Sequence, residues 1–217
     1  MTSTSHPVSI QPRTESDIPE QAQMLLDSKL ALTINRLLFK DWPNETAQRK
    51  NYTNAIEAAS KNPAIETLKV IDDETHSMVG YLVLTRQTPP EVKADPGTGD
   101  KKREVPESMN EEVFHAVMEA AGEVGMAKDI DHFELTHIYI KTSHRRQGIG
   151  SQLIRMAVVK AQNAEVPLAA CSEPQVHEFL LKHGFKDTKH VDVDLGKWAP
   201  EFSGFGIFRI SGMVISV

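Results

Sequence analysis

The sequence predicts an α+β domain in which a sheet of about seven strands is flanked by helices. Two observations point there. Seven short runs of apolar or alternating residues are interleaved with segments whose apolar residues recur at helical spacing, and a strand runs through a glycine-bearing loop directly into a helix in the second half of the chain. With 217 residues, and about 150 residues as the usual size of a domain, a single elaborated domain over 1–217 is expected.

The elements follow in order. Val8 to Arg13 alternates apolar and polar residues, as a half-buried strand does, and Asp17 stands where an N-cap opens a helix. Met24, Leu25, Leu30, Leu32, Leu37, Leu38 and Phe39 then recur at helical spacings; Trp42-Pro43 interrupts them, and a helical pattern resumes near Glu45 to Lys61. Ile65 to Ile71 and Met78 to Leu84 read as a hairpin about a polar turn. Its second strand is nearly all apolar and is expected inside the sheet. Residues 86–131 depart from this rhythm with Pro-Pro, Asp-Pro-Gly and Lys-Lys-Arg, then a helix from Asn110 through Val113, Val117 and Ala121, and read as an insertion. It is either a solvated surface excursion or a lid that shapes a site. Phe133 to Ile140 is the next strand. A helix follows with Ile149, Leu153, Ile154, Ala157, Val158 and Ala161 in one stripe, and then a short strand at Leu168 to Cys171. The next helix stops at Gly184, the residue type that best tolerates a left-handed C-terminal cap. Val191, Val193 and Leu195 alternate with Asp192 and Asp194, and this run pairs with Phe205 to Val217 across the intervening loop.

Composition excludes several functions. The formal charge is −6 and the pI about 5.8, so no global positive field exists to hold nucleic acid, and none is expected as a partner. No apolar stretch approaches the ~18 residues of a membrane span, and the opening Met-Thr-Ser-Thr-Ser-His-Pro resembles no targeting segment. A cytoplasmic protein without membrane contact is expected. The one cysteine, Cys171, allows no internal disulfide, and the nine histidines form no metal-binding spacing, so no metal is expected.

The chemistry concentrates between His137 and Ser151. Backbone N–H groups at a helix N-terminus are unpaired, the helix dipole adds partial positive charge, and glycines let an anion approach the main chain. Lys141, Arg145 and Arg146 add side-chain charge, so the segment suits a phosphate or pyrophosphate. A Walker loop would continue Gly-Lys-Ser/Thr where Gly150-Ser151-Gln152 stands, and a dinucleotide fingerprint would place a third glycine at Leu153. Neither matches.

Arg-x-x-Gly-x-Gly, Arg145 to Gly150, after a strand ending Ile-Tyr-Ile, resembles the acyl-CoA loop of the GNAT acetyltransferase superfamily. The likeness extends through the amphipathic helix and short strand to Phe179-Leu180-Leu181-Lys182-His183-Gly184-Phe185. It implies a mixed, mostly antiparallel sheet whose strands at Ile140 and Ala170 splay apart to admit the pantetheine arm of acetyl-CoA. Main-chain groups of Ile138, Tyr139 and Ile140 would bind that arm, and Arg145, Arg146, Gln147, Gly148, Ile149, Gly150 and Ser151 would hold the pyrophosphate. The N–H of Ile140 would stabilise the oxyanion.

The implied reaction is acetylation of a primary amine by direct attack, the acceptor being a small molecule. An alkylammonium must lose a proton before attack. Glu134, eleven residues before Arg145, is the expected base, on one face with Ile138 by strand alternation; His137, on the opposite face, is a relay. The family's frequent acid, a tyrosine, is replaced by Leu180. Tyr139, Cys171 and His183 are substitutes for that acid, although each also reads as an ordinary structural residue. Phe39, Trp42, Trp198 and Phe202 are expected linings of the acceptor site, with Asp192 or Asp194 attracting a cation. Two other readings stay open: a protein or peptide N-acetyltransferase, and a non-catalytic acyl-CoA sensor. So does the oligomeric state, a homodimer included.

Overall fold

The computed structural model describes residues 7–89 and 104–216. The chain's first six residues and the Lys-Lys-Arg cluster lie outside them.

The strands are β1 (Val8–Pro12), β2 (Ile65–Asp72), β3 (Met78–Gln87), β4 (His132–Ile140), β5 (Leu168–Ser172), β6 (Lys186–Asp194) and β7 (Ile207–Ile215). The helices are α1 (Ile18–Leu30), α2 (Asn35–Leu38), α3 (Glu45–Ser60), α4 (Glu111–Val124), α5 (Ile149–Asn163) and α6 (Pro174–Lys182). The strands form one seven-stranded sheet in the order β1-β2-β3-β4-β5-β7-β6. Every neighbouring pair is antiparallel except β4 and β5, which are parallel.

Local chemistry explains the element ends. Asn44 caps α3 by accepting the Ala47 N–H at 3.2 Å, and Gly184 takes a φ of 91° after α6. Asp17 does precede α1, but its carboxylate turns back to accept from the Thr14 N–H and hydroxyl at 2.7 and 2.6 Å. It also pairs with Lys69 of β2 at 2.7 Å, which ties the start of α1 to the sheet. β3 is buried from Met78 through Thr85, as its unbroken apolar run requires of a strand covered on both faces.

Helices cover both faces. Leu153, Ile154 and Ala157 of α5 and Leu180 of α6 pack on Leu82, Leu84, Leu135 and Leu168. On the other face, Val113, Ala120 and Val124 of α4 meet Val193, Phe208 and Ile210, with Leu32 and Ile34 from the chain after α1. α1 packs on α3 through Ile18, Ala22, Leu25 and Ile56, and places Met24 against Tyr81 and Val83. Each large apolar side chain buried this way contributes about 1.5–3 kcal/mol.

Within segment 86–131, α4 is therefore part of the core, docked on β6 and β7. The residues before α4 also reach across to α2. Phe39 and Met109 form a β-bridge, the Lys40 N–H donates to Ser108 O at 2.9 Å, and the Asn110 N–H donates to Leu38 O at 2.8 Å.

The end of α4 rests on bare backbone. A Cβ at Gly212 of β7 would fall inside contact distance of the Val124 carbonyl oxygen, which belongs to the main chain and cannot rotate aside. Gly212→Ala should lower stability by about 1–3 kcal/mol. Urea denaturation followed by tryptophan fluorescence measures this, and an unchanged midpoint would contradict the packing.

Candidate active site

The site begins where the sheet divides. β4 and β5 pair at only three positions, Phe133↔Leu168, Glu134↔Ala169 and Leu135↔Ala170, although β4 continues to Ile140. A bulge lies at the parting. His137 pairs with Val83 and Leu135 with the adjacent Leu84, so Thr136 has no opposite number on β3. An unpaired residue bends its strand, and β4 leaves β5 at this point.

The bulge also resets which side chains share a face. Leu135, Ile138 and Ile140 all face the core beneath α5. Glu134, His137 and Tyr139 stand opposite Thr85, Val83 and Tyr81, alternate residues on one face of β3. Strict alternation pairs Glu134 with Ile138 and sets His137 opposite; with Thr136 extruded, Glu134 and His137 lie on the same face.

Main-chain directions follow from two hydrogen bonds. The Lys141 N–H donates to Val79 O of β3 at 2.8 Å, whereas Ile140 O accepts from Arg145 Nε at 2.8 Å, away from β3. A strand residue points its N–H and C=O the same way and its neighbours the other way. The N–H groups of Ile138 and Ile140 therefore face the gap left by β5, and those of Tyr139 face β3.

The loop after β4 is held from three sides. His144 Nε2 meets Asp72 Oδ2 at 2.9 Å, and Asp72 accepts the Thr75 and Glu74 N–H groups at 2.8 and 2.9 Å. The Thr75 bond first, and His144 next, hold this buried carboxyl far below the usual carboxylate range. Arg145 lies over the Tyr139 ring at 5.5 Å. Gly148, with a φ of 83°, is the N-cap of α5 and offers no capping side chain, so the first-turn N–H groups are left for a ligand. Ser151 Oγ lies 2.8 Å from His183 Nε2, while His183 Nδ1 donates to Phe179 O at 2.7 Å. Gly150 permits this seat on α6, since a Cβ there would lie 3.1 Å from the Phe179 ring.

A cavity of about 870 Å³ runs from this loop through the gap to the opposite face of the sheet. Arg145, Arg146, Gly148, Ile149, Gly150 and Ser151 line one end; the Gln147 side chain instead donates to Ser143 O at 3.3 Å. α1, α2, α4 and β7 wall the other end, and Tyr52 of α3 reaches in. Between them stand His137, Cys171 and an ion pair, Lys29 Nζ to Glu173 Oε1 at 2.6 Å.

Protonation states follow from these surroundings. Burial first, and the Lys29 charge next, push His137 down to about 4 against the opposing pull of Glu173, so its imidazole is neutral at pH 7. Burial first, then Glu134 and Glu173, raise the Cys171 thiol to about 11, which keeps it protonated and a poor nucleophile. Leu180 lines the cavity without a hydroxyl, and burial raises the Tyr139 phenol above its ordinary value. Among the described residues no three His, Cys, Asp or Glu side chains are grouped to hold a metal.

Other expected residues scatter. Glu134 does not line the cavity and accepts from Gln87 Nε2 at 3.2 Å. Phe39 lines the cavity, but Trp42 does not, and Trp198 packs at the core edge with its indole N–H donating to Glu112 at 3.2 Å. Phe202 is fully exposed. Asp192 is forked to Arg209 at 2.7 and 2.8 Å, and Asp194 accepts the Gly196 N–H at 2.9 Å. The sequence reading missed Glu173 and Lys29. Glu173 carried one usable signal, its place between the short strand and Pro174, where a helix begins beside the parting strands.

Residues 110–187 match the family profile described as Acetyltransferase (GNAT) domain. A comparison with curated proteins gives no match. Solved structures share the fold at low identity. The C-terminal condensation domain of Ebony, in complex with beta-alanyl-dopamine, is 9% identical with a TM-score of 0.66, covering 96% of this chain and 99% of that one. NAA60 of Arabidopsis thaliana, in complex with a bisubstrate analogue, is 10% identical with a TM-score of 0.55, covering 96% and 97%. A spermidine N-acetyltransferase of Vibrio cholerae is 12% identical with a TM-score of 0.51, covering 96% and 92%.

His137 makes stability depend on pH. Its folded pKa lies below the unfolded value of 6.5, so the unfolded chain binds the extra proton and stability falls as pH drops from 6.5 toward 4, by about 3 kcal/mol at the lower end. His137→Gln should remove that part of the slope in urea titrations at the two pH values. An equal slope in the variant would show that the imidazole titrates normally.

Proposed function

We propose that this chain is a GNAT-type acyltransferase, as the profile match over residues 110–187 supports, and that it transfers an acetyl group from acetyl-CoA to the primary amine of a small molecule. The observation that carries the reading is the cavity itself: it joins a helix start suited to an anion, a strand gap with inward N–H groups, and a largely apolar chamber beyond.

In this reading the diphosphate of acetyl-CoA lies on the first-turn N–H groups of α5, with Arg146 beside it. Arg145 is already committed to Ile140 O and stiffens the strand end. The pantetheine arm occupies the gap as a short extra strand on the N–H groups of Ile138 and Ile140. Ile140 adjoins the loop and serves the arm. Ile138, next to His137 at the chamber, is the better-placed oxyanion donor, a contribution of the kind worth about 3–4 kcal/mol.

The acceptor enters from the α1, α2 and α4 side. Its ammonium takes the place of Lys29 on Glu173, and the carboxylate receives the proton, with the neutral His137 imidazole and water as local acceptors. The freed amine attacks the thioester carbon. A C–N bond forms, the C–S bond breaks as the tetrahedral intermediate collapses, and the second amine proton goes to the departing thiolate. A thiol of ordinary pKa near 8.5 leaves without strong acid help, which suits a site with Leu180 at the expected tyrosine position. Support for a small acceptor comes from the backbone links between residues 38–40 and 108–110, which roof the chamber where an extended peptide would lie. Among the described residues no helix is long and apolar enough to cross a membrane.

Glu173→Gln should lower kcat by about 10²–10⁴ with acetyl-CoA affinity within about twofold. Glu134→Gln, outside the cavity, should change kcat by less than about threefold, a surface-scale effect. Thiol release from acetyl-CoA and calorimetric binding measure both. The converse ranking would return the base to Glu134, and absence of saturable acetyl-CoA binding would end the reading.

A further inference from the structure

We propose that the acceptor carries a single ammonium on a large apolar body, aromatic or aliphatic, and is neither a polyamine nor a peptide. This rests on the acetyl-transfer reading above and narrows it to a substrate class.

Charge is the first argument. Among the described residues that line the cavity, Glu173 is the only carboxylate, and it already holds Lys29 at 2.6 Å. One ammonium can exchange with Lys29 at Glu173, whereas a second would find no carboxylate in the lining to pair with, and a buried ion without a contact partner is far costlier than an apolar group of the same size. Glu134 and Asp27 lie outside the lining and act on it only at a distance, through Cys171 and Tyr139, so they offer a second ammonium no direct contact; Asp192 and Asp194 lie outside it too, engaged by Arg209 and the Gly196 N–H.

Surface chemistry is the second argument. Beyond Glu173 the chamber is faced mainly by Leu38, Phe39, Val117, Ala121, Phe208 and Ile210; Ser28, Asn35 and Tyr52 also line the cavity, with Asn35 donating to Lys29 O and Tyr52 to Gln48. Such a wall rewards apolar area on the acceptor and gives no hydrogen-bond ladder to a peptide backbone. The Leu38, Phe39 and Lys40 main chain is joined to Ser108, Met109 and Asn110 beside this wall, so among the described residues these two segments pair with each other and not with a peptide laid between them.

The test uses the intact protein, acetyl-CoA and thiol release. In the n-alkylamine series from butylamine to octylamine, KM should fall by about fourfold per methylene, as burial of each CH₂ requires. 1,8-Diaminooctane, with the same chain and a second ammonium, should have kcat/KM at least about 100-fold below octylamine. Spermidine and amino-terminal peptides should be poorer still, and phenethylamine a good acceptor. Val117→Asp, which places a carboxylate in the wall, should bring the diamine and monoamine about tenfold closer. The wild-type comparison stands if that variant does not fold. A diamine or spermidine within tenfold of octylamine, a flat alkyl series, or a peptide faster than all amines would overturn the proposal and leave acetyl transfer intact. Failure of acetyl-CoA to bind in calorimetry would bring down both.

Discussion

One residue outside the strand register, Thr136, underlies the architecture of the site. Inside a sheet, main-chain N–H and C=O groups are costly to leave unpaired. Bending β4 away from β5 creates an edge in the middle of the sheet, a place where another extended molecule completes the ladder. The remaining features are arranged around that edge. α5 starts at its open end and points its N-terminus into it, α6 supports α5 through Phe179 and His183, and the β2–β3 turn holds the intervening loop through Asp72 and His144.

Charge is distributed to match the two ends of this passage. The chain is acidic overall, yet Arg145, Arg146 and the α5 terminus concentrate positive potential where an anion would bind. The chamber end has no net charge, because Lys29 and Glu173 cancel and His137 is neutral. Desolvation governs His137 and Cys171 in opposite senses: burial favours the uncharged form of each, lowering one pKa and raising the other. The outcome is a low-polarity space with one exchangeable ion pair.

The fold was legible because its signals are local. Strand and helix periodicities at Val8, Ile65, Met78, Ile149 and Val191 depend on neighbours a few residues away, and the Arg145 to Gly150 loop carries its chemistry in consecutive residues. The face assignment of Glu134 was not legible. It depends on a bulge whose cause lies in the pairing of β4 with β3, and no residue type at Thr136 announces it. Glu173 and Lys29 are 144 positions apart and meet only because α1 and the start of α6 converge over the gap. Trp42 and Trp198 looked like linings because aromatic residues in loops fit several environments, and Asp192 looked available because its partner, Arg209, sits on another strand. Segment 86–131 read as an excursion from its polar first half, whereas Val113, Ala120 and Val124 in its second half belong to the core.

The fastening across residues 38–40 and 108–110 has a consequence for how such a protein can diversify. Because it is made by peptide groups, any side chain except proline's at Lys40 or Asn110 leaves the donors and acceptors in place. Substitutions at Leu38, Phe39 or Met109 can therefore recontour the ceiling while the two segments stay joined. The shape of this end of the cavity is free to drift without disturbing the helix start at the other, so descendants of one ancestral scaffold can reshape one half of the passage while keeping the other.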